Sequence, residues 1–261
     1  CGTIGSRIAA AVTTRFREQA RLVALADSDA GRAAAVRSSL VGKPPVMSVE
    51  ALIKKSDLVI EAASAKVSGS LAKMVLSQGK NIMVMSVGGV MRDHAALHAL
   101  ARRKRARLYL PSGALCGLDG VKAASMGPLR SVRLTTTKPP AALADAPFFK
   151  GKHIDLTGLR RARVVFDGSA LEAIEGFPAN INVACALSLA GLGPRRTRVR
   201  IIADPAAARN IHEVTVEGTF GRLTTRVENL PSPGNPRTSY LAVLSALATL
   251  KSILDPITVG T

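Results

Sequence analysis

The chain of 261 residues has no tryptophan, two tyrosines and six phenylalanines. Single-strand nucleic-acid binders stack bases on aromatic rings, so this shortage argues against such a partner. Cysteine is scarce as well. Cys1, Cys116 and Cys185 are an odd number with no close pair, which argues against a disulfide framework and against a cysteine zinc site. A reducing cytoplasm is the expected compartment. Long apolar runs are also missing. The weakly polar stretch from Ile181 to Gly193 is too short and too rich in small residues to span a bilayer, and the opening residues do not read as a secretory signal.

Acidic residues are few, 18 against 36 Lys and Arg, so the net charge is +18. Such a balance suggests an anionic partner. The basic residues are scattered, with local clusters at Arg102-Arg103-Lys104-Arg105 and Arg160-Arg161-Ala162-Arg163. A solvated basic surface, a phosphate-bearing cofactor and a dicarboxylate substrate all account for this field. Nucleic acid is the disfavoured reading, and no membrane partner is expected. Hydrophobic residues at 47% and charged residues at 21% are ordinary for a globular protein. The length allows one large domain or two modest ones.

The first hundred residues alternate short apolar runs with amphipathic stretches. Ile4, Ile8, Val12 and Phe16 recur every four residues, one face of a helix. Leu22–Ala26, Leu58–Ala63, Asn81–Val87 and Arg107–Leu110 read as strands. Helices are expected over 30–40, 67–78 (closed by Gly79 in a left-handed cap) and from Asp93 to Arg103. This alternation predicts an α/β fold with a parallel sheet. After Pro111 strands crowd together, at 132–137, 164–167, 199–203, 212–217 and 223–227. Helices are expected at 118–126, after the Ser169–Glu172 capping box, and at 181–190. The second part therefore reads as α+β with a mixed or antiparallel sheet. Residues 231–236, rich in proline, read as a linker. A final helix would present Tyr240, Leu244, Leu247, Leu250 and Leu254 on one face, stopped by Pro256.

The opening Cys1-Gly2-Thr3-Ile4-Gly5-Ser6-Arg7 matches the later part of a G-x-G-x-x-G turn. Gly2 would let backbone approach a pyrophosphate, Gly5 would let the helix pack closely, and the amides of Thr3 and Ile4 would face the anion. Asp27 follows at the end of the next apolar run, where a dinucleotide site needs a carboxylate for ribose hydroxyls; a strand-end helix cap is its structural alternative. Asp27 would repel a 2′-phosphate whereas Arg32 would accept one, so NAD is expected to be modestly preferred, with NADP possible. The first glycine of the turn and the first strand, central in this fold, are apparently missing from the given chain. Residues before Cys1 are expected to form a short aliphatic run ended by Gly.

Four histidines are available for acid–base chemistry. His94 and His98, at i and i+4 on one helix, lack a third ligand and read as a solvated face, so no metal is expected. His153 lies in a polar stretch and reads as surface. His212 opens a strand on the face of Val214 and Val216. Its alternatives are a core histidine or a general base of near-neutral pKa, whose protonation would lower the rate on the acidic side.

Three further segments are specific in order: Ser112-Gly113-Ala114-Leu115-Cys116-Gly117-Leu118-Asp119, Phe177-Pro178-Ala179-Asn180-Ile181-Asn182-Val183-Ala184, and Asn210-Ile211-His212-Glu213 followed by Asn235-Pro236-Arg237-Thr238-Ser239-Tyr240. With the opening glycine turn, Glu61-Ala62-Ala63-Ser64 and Ser86-Val87-Gly88-Gly89, this set resembles the L-aspartate dehydrogenase family over nearly the whole chain. The resemblance implies a Rossmann-type dinucleotide-binding domain at 1–110, completed by the C-terminal helix at 237–261. It also implies an α+β catalytic and dimerisation domain at 111–236. The implied reaction is reversible NAD- or NADP-dependent oxidative deamination of L-aspartate to oxaloacetate and ammonia through iminoaspartate, which can feed NAD biosynthesis. His212 takes the catalytic place. Gly2, Thr3, Ile4, Gly5, Asp27, Ala63 and Ser86 take cofactor positions, with Cys116 and Asn182 on the nicotinamide side. The family usually has Ala or Gly at the position of Cys116, a departure of little weight if the contact is through backbone. Ser112 and Lys138 are positional candidates for the substrate carboxylates, and a homodimer is implied. The competing readings are a relative of homoserine dehydrogenase or dihydrodipicolinate reductase, and a dinucleotide-binding regulator without catalysis.

Overall fold

The computed structural model describes residues 1–150, 154, 156, 158–178, 181–233 and 235–261, with backbone alone at 236 and 237. Two units emerge, residues 1–111 with 243–258 and residues 112–242 with 259–261.

In the first unit α1 (Thr3–Thr13), α2 (Ala30–Ser39), α3 (Val49–Lys55), β1 (Leu58–Glu61), α4 (Ala65–Ser77), β2 (Asn81–Val84), α5 (His94–Lys104) and β3 (Leu108–Tyr109) follow one another. The strands form a parallel sheet in the order β1-β2-β3, as the strand–helix alternation requires. Ile8 and Val12 of α1 pack with Phe16, Met83 and Met85, and Ile4 leans on the same cluster. Phe16 lies beyond the helix end, so the four-residue period outlasts the helix by one turn. Gly79 adopts its expected left-handed conformation, φ +71°, which ends α4 without steric cost.

Three expectations in this unit need correction. Leu22–Ala26 contributes a single parallel bridge, Leu25 to Val46. Leu25 N–H donates to Pro45 O and Met47 N–H to Leu25 O, each at 2.9 Å. A strand needs a partner along its length, and among the described residues none runs beside the rest of this one. The short helix α3 escapes the periodicity reading. Ser48 nucleates it, its Oγ accepting from Ala51 N–H at 3.2 Å. In the final helix the buried stripe is Val243, Ala246 and Leu250, while Tyr240 and Leu244 are 37% and 40% exposed. Ala246 is small enough to bring the helix close to Met83 and Met85; Leu247, Leu250 and Leu254 of the expected face pack on the same cluster, and only its first members, Tyr240 and Leu244, are left out.

The second unit contains α6 (Leu118–Ala124), β4 (Leu129–Lys138), β5 (Arg163–Ser169), α7 (Ala170–Gly176), α8 (Asn182–Ala190), β6 (Arg198–Ala203), β7 (Asn210–Gly218), β8 (Gly221–Asn229), β9 (Pro231–Ser232), β10 (Asn235–Ser239) and α9 (Tyr240–Leu254), whose later turns belong to the first unit. The five-stranded sheet has the order β5-β6-β4-β7-β8. β4 and β6 are parallel and the other pairs antiparallel. The expected capping box opens α7, with Ser169 and Glu172 bonded reciprocally. The stretch 231–236 is not a free linker, because β9 and β10 pair as a short antiparallel ribbon. Prolines are compatible with such an edge, where no ladder donor is required of them.

Strict alternation gives the large sheet two unlike faces. Val132, Leu134, Val199, Ile201, Val214 and Val216 are buried on the inner face. Helix α8 lies on that face, since a Cβ at Gly191, its C-cap, would stand 3.2 Å from Val132 Cγ2. The outer face gathers charge. Arg133, Arg198 and Arg200 converge on Asp167 at 3.6, 3.0 and 2.6 Å. The guanidinium of Arg200 first, and that of Arg198 after it, hold the Asp167 carboxyl below the usual carboxylate range. Part of the basic excess is thus neutralised within the fold. Phe148, Phe149, Phe166 and Phe177 pack ring against ring, with Phe166 and Phe177 buried in the core and Phe148 and Phe149 half-buried against them.

Candidate active site

In the first unit the predicted cofactor residues gather at the carboxyl ends of β1 and β2. Helix α1 starts after Gly2 with no side-chain cap on its amides, and such a start attracts an anion. A Cβ on Gly2 would meet nothing within 4 Å, whereas one on Gly5 would stand 3.4 Å from Ala62 Cβ. The turn is therefore open on the ligand side and close-packed on the sheet side, a cradle that fits a pyrophosphate. Asp27 lies beside it, next to Ala26, whose O is 3.9 Å from Cys1 Sγ, and its carboxylate accepts from Asp29 N–H at 2.9 Å. Arg32 pairs with Asp29 at 3.4 Å.

Glu61 enters the sequence reading only as part of the segment 61–64, without a role, yet it organises two of the predicted contacts. The side chain is 1% exposed. Its carboxylate accepts from Ala63 N–H at 2.7 Å, Ser86 N–H at 3.0 Å and Ser86 Oγ at 2.9 Å. Ser68 Oγ donates to Ser86 O at 2.9 Å. Ala63 and Ser86, 23 residues apart in sequence, are thus fixed relative to each other by one buried carboxylate. The only sequence signal for it is an acidic residue at the end of an apolar strand.

In the second unit the inner face turns polar at one end. His212 faces Thr136 across the β4–β7 ladder, and Thr136 Oγ1 lies 3.0 Å from His212 Nδ1. Lys138 follows Thr136 by two residues, on the same face. Thr136, Lys138, His212 and Asn229 are 5%, 7%, 4% and 3% exposed. Burial pushes the Lys138 ammonium down to about 8. Burial first, and then the charge of Lys138, push His212 down to about 3. The near-neutral pKa expected from the sequence is therefore corrected: His212 is a neutral imidazole, held at Nδ1 by a hydroxyl, with Nε2 left for chemistry. An uncharged hydroxyl orients the ring without stabilising an imidazolium, as a carboxylate would.

The segment 112–117 is strapped along β8. Thr225 Oγ1 donates to Cys116 O at 3.3 Å, Asn229 Nδ2 donates to Ala114 O at 3.2 Å, and Cys116 Sγ lies 3.9 Å from Arg226 O. Gly117, with φ +79°, would drive a Cβ to 2.6 Å from Thr225 Cγ2, so only glycine lets the strap close. Ser112 opens this segment, half-buried. Asn182 begins α8, and the following Val183 places Cγ1 4.0 Å from the Cβ position of Gly113. Cys116, Asn182, His212 and Lys138 thus come from four separate elements to one end of the unit.

The other candidates stay apart. His94 and His98 are exposed on α5, and no group of three or more potential metal ligands occurs among the described residues. His153, Ala179 and Asn180 lie outside the described residues. All three cysteines are free, and Cys185 is buried, its thiol pushed up to about 12. A cavity of about 670 Å³ in the first unit, lined by Val12, Thr13, Leu22 and Met47, touches none of the predicted site residues. No helix among the described residues is long and apolar enough to cross a membrane.

Comparison with known proteins bears on both units. Residues 1–111 match the family described as "Homoserine dehydrogenase, NAD binding domain", and residues 119–253 match "Aspartate dehydrogenase, C-terminal". The first unit is therefore a nicotinamide-dinucleotide-binding domain. An L-aspartate dehydrogenase of Methanosarcina barkeri is 47% identical over all of this chain and 97% of its own length. One of Bradyrhizobium diazoefficiens is 41% identical over all of this chain and 91% of its own length. The crystal structure of an aspartate dehydrogenase from Thermotoga maritima superposes with a TM-score of 0.72 at 26% identity, over 99% of this chain and 96% of that one. A homoserine dehydrogenase from Thiobacillus denitrificans, 14% identical, shares the fold with a TM-score of 0.62 over 97% of this chain and 71% of that one. With both parts matched and the likeness running end to end, the chain belongs to the L-aspartate dehydrogenase family.

Proposed function

We propose that this protein oxidatively deaminates L-aspartate to oxaloacetate and ammonia with NAD, and runs the reverse amination. The observation that carries the reading is the buried, neutral His212 beside Lys138 at the polar end of an otherwise apolar sheet face. When bound, the dinucleotide supplies the two-electron acceptor that takes hydride from the substrate α-carbon. Gly2, Thr3, Ile4, Gly5, Ala63 and Ser86 would hold its phosphates and adjoining groups, Asp27 its adenosine ribose, and Cys116 and Asn182 its nicotinamide end.

This chain's own residues do the rest. Lys138, with Ser112, holds a substrate carboxylate; a cation in dry surroundings binds such a group more strongly than one in water. His212 Nε2 removes a proton from the water that attacks iminoaspartate, returns it to the nitrogen of the carbinolamine, and then takes the hydroxyl proton as the C–N bond breaks and ammonia leaves oxaloacetate. A base already neutral needs no prior deprotonation. Substrate carboxylates bound beside His212 would raise its proton affinity by offsetting the charge of Lys138. The same reading makes residues 1–110 with the C-terminal helix the dinucleotide domain and 111–236 the catalytic and dimerisation domain. It also makes the protein a cytoplasmic homodimer that prefers NAD over NADP.

Its test is oxidation of NADH in the presence of oxaloacetate and ammonium together. Activity that requires both, and that is absent with homoserine in the forward direction, supports the reading. Turnover of homoserine but not of aspartate would replace it with the homoserine dehydrogenase alternative. Cofactor binding with no turnover of either would leave the regulator.

A further inference from the structure

We propose that Asn229 is the acceptor for the substrate's amino group, an inference that rests on the deamination proposed above. Asn229 closes β8 and pairs with Asn210, two residues along from the His212–Val227 pair. Side chains two apart on a strand share a face, so Asn229 and His212 look the same way. Diagonal neighbours of this kind stand about 7 Å apart, which leaves room between the two side chains for the substrate's nitrogen and the attacking water. The Asn229 side chain is 3% exposed, like the histidine and lysine beside it.

Its orientation is fixed by chemistry. Nδ2 donates to Ala114 O at 3.2 Å, and since a carbonyl can bond only the NH₂ end of an amide, Oδ1 must face the other way. Oδ1 is buried and has no hydrogen-bond partner among the described residues. Ser232 Oγ, three residues further on, is buried and unpaired in the same sense. Buried acceptors without a donor are rare in folded proteins and call for a missing partner. An aspartate offers two carboxylates, which only accept, and one ammonium, which only donates. An amide oxygen repels the first and takes the second. Lys138 answers for a carboxylate and Asn229 for the nitrogen. The nitrogen keeps an N–H as amine becomes iminium, so the contact survives hydride loss. An amide oxygen takes up no proton at neutral pH, so proton transfer stays with His212.

The competing explanation is an internal water on Oδ1, and one comparison separates the two. In the full-length protein, Asn229→Ala is assayed for the KM of L-aspartate, for inhibition by succinate, which has the same two carboxylates and no amine, and for NAD affinity. Losing one hydrogen bond from a charged donor raises the aspartate KM about 10- to 100-fold, with succinate and NAD changed less than about twofold. Equal weakening of aspartate and succinate overturns the proposal and reduces Asn229 to the strap on Ala114. An unchanged aspartate KM overturns it too and assigns Oδ1 to water. If the alanine variant does not fold, Asn229→Ser, which keeps a small acceptor, is expected to give an intermediate rise for aspartate alone, with the same two overturning results. Should the wild-type protein fail to turn over aspartate, the deamination reading falls by itself. Calorimetric titration of aspartate against succinate in the presence of NAD then decides whether Oδ1 selects an amine.

Discussion

The two units assemble their chemistry in opposite ways. In the first, Gly2 to Gly5 are consecutive, and the groups they offer are backbone amides at a helix start. In the second, Lys138, His212 and Asn229 come from three strands, and only ladder register brings them to one end of one face. A site made of backbone is robust to side-chain change and depends on glycine and turn geometry. A site made of side chains in register depends on each residue and on the dryness around it. Mutations in the first unit should therefore act on cofactor affinity, and those in the second on turnover and on the amino-acid substrate.

The sharpest test of that division is His212→Ala. It should lower kcat about 10²- to 10⁴-fold, the usual cost of losing a general base, with NAD affinity nearly intact. His212→Asn, which cannot take a proton, should be almost as poor. Retention of more than about a tenth of kcat, outside the range for a lost base, would make His212 a core histidine and remove the contrast between the units.

Glu61→Gln is the converse. It swaps one acceptor for a donor against Ala63 N–H or Ser86, and a buried mismatch of that kind costs on the order of 1–3 kcal/mol. NAD dissociation constants should rise about 10- to 100-fold, while kcat at saturating NAD changes little. A variant that loses kcat with NAD affinity preserved would show that the clamp serves the catalytic half instead.

The pH dependence separates the units a third way. Burial lowers Lys138 from 10.5 to about 8, so its charge is present below that pH and lost above it. The kcat/KM for aspartate should fall as pH rises through about 8, and Lys138→Met should abolish that limb together with most of the activity. Stability runs the other way. Between about 8 and 10.5 the unfolded chain's lysine stays charged while the folded one is neutral, so folding gains as pH rises. His212, lowered from 6.5 to about 3, loses the folded state stability as pH falls below 6.5, and His212→Asn should blunt the acid-side drop in Tm. The smallest effect belongs to Asp27→Ser. Removing one partly solvated carboxylate should shift the ratio of kcat/KM values toward NADP about five- to tenfold. An unchanged ratio would make Asp27 a purely structural partner of the glycine turn.

Where the sequence was easy to read, the reason was local. The strands β4 to β8 alternate apolar and polar residues over a two-sided sheet, and the Ser169 capping box carries both its partners within four residues. The strand expected at Leu22–Ala26 depended on a neighbour rather than on its own apolar run, and with one bridging partner it stays a bridge. On α9 the expected Leu247, Leu250 and Leu254 do pack on the core, but counting leucines missed Ala246, whose small side chain decides how closely the helix approaches. The roles of Glu61 and Asn229 were invisible for the same physical reason. Their importance lies in the donors and acceptors they meet across 25 and 115 positions of chain.

The sequence by itself determined the glycine turn, the strand and helix alternation that makes a parallel sheet, and the change to crowded strands after Pro111. Each rests on periodicity, spacing or the chemistry of one residue type. The tertiary structure alone decided that His212 is neutral and held by Thr136, that Lys138 is half-discharged near pH 8, and that one carboxylate ties Ala63 to Ser86. It also decided that an amide oxygen at Asn229 is buried with no donor to it among the described residues. Proton affinity and hydrogen-bond satisfaction depend on what excludes water from a group and which dipoles surround it. Those are properties of packing and register, and no linear spacing encodes them directly.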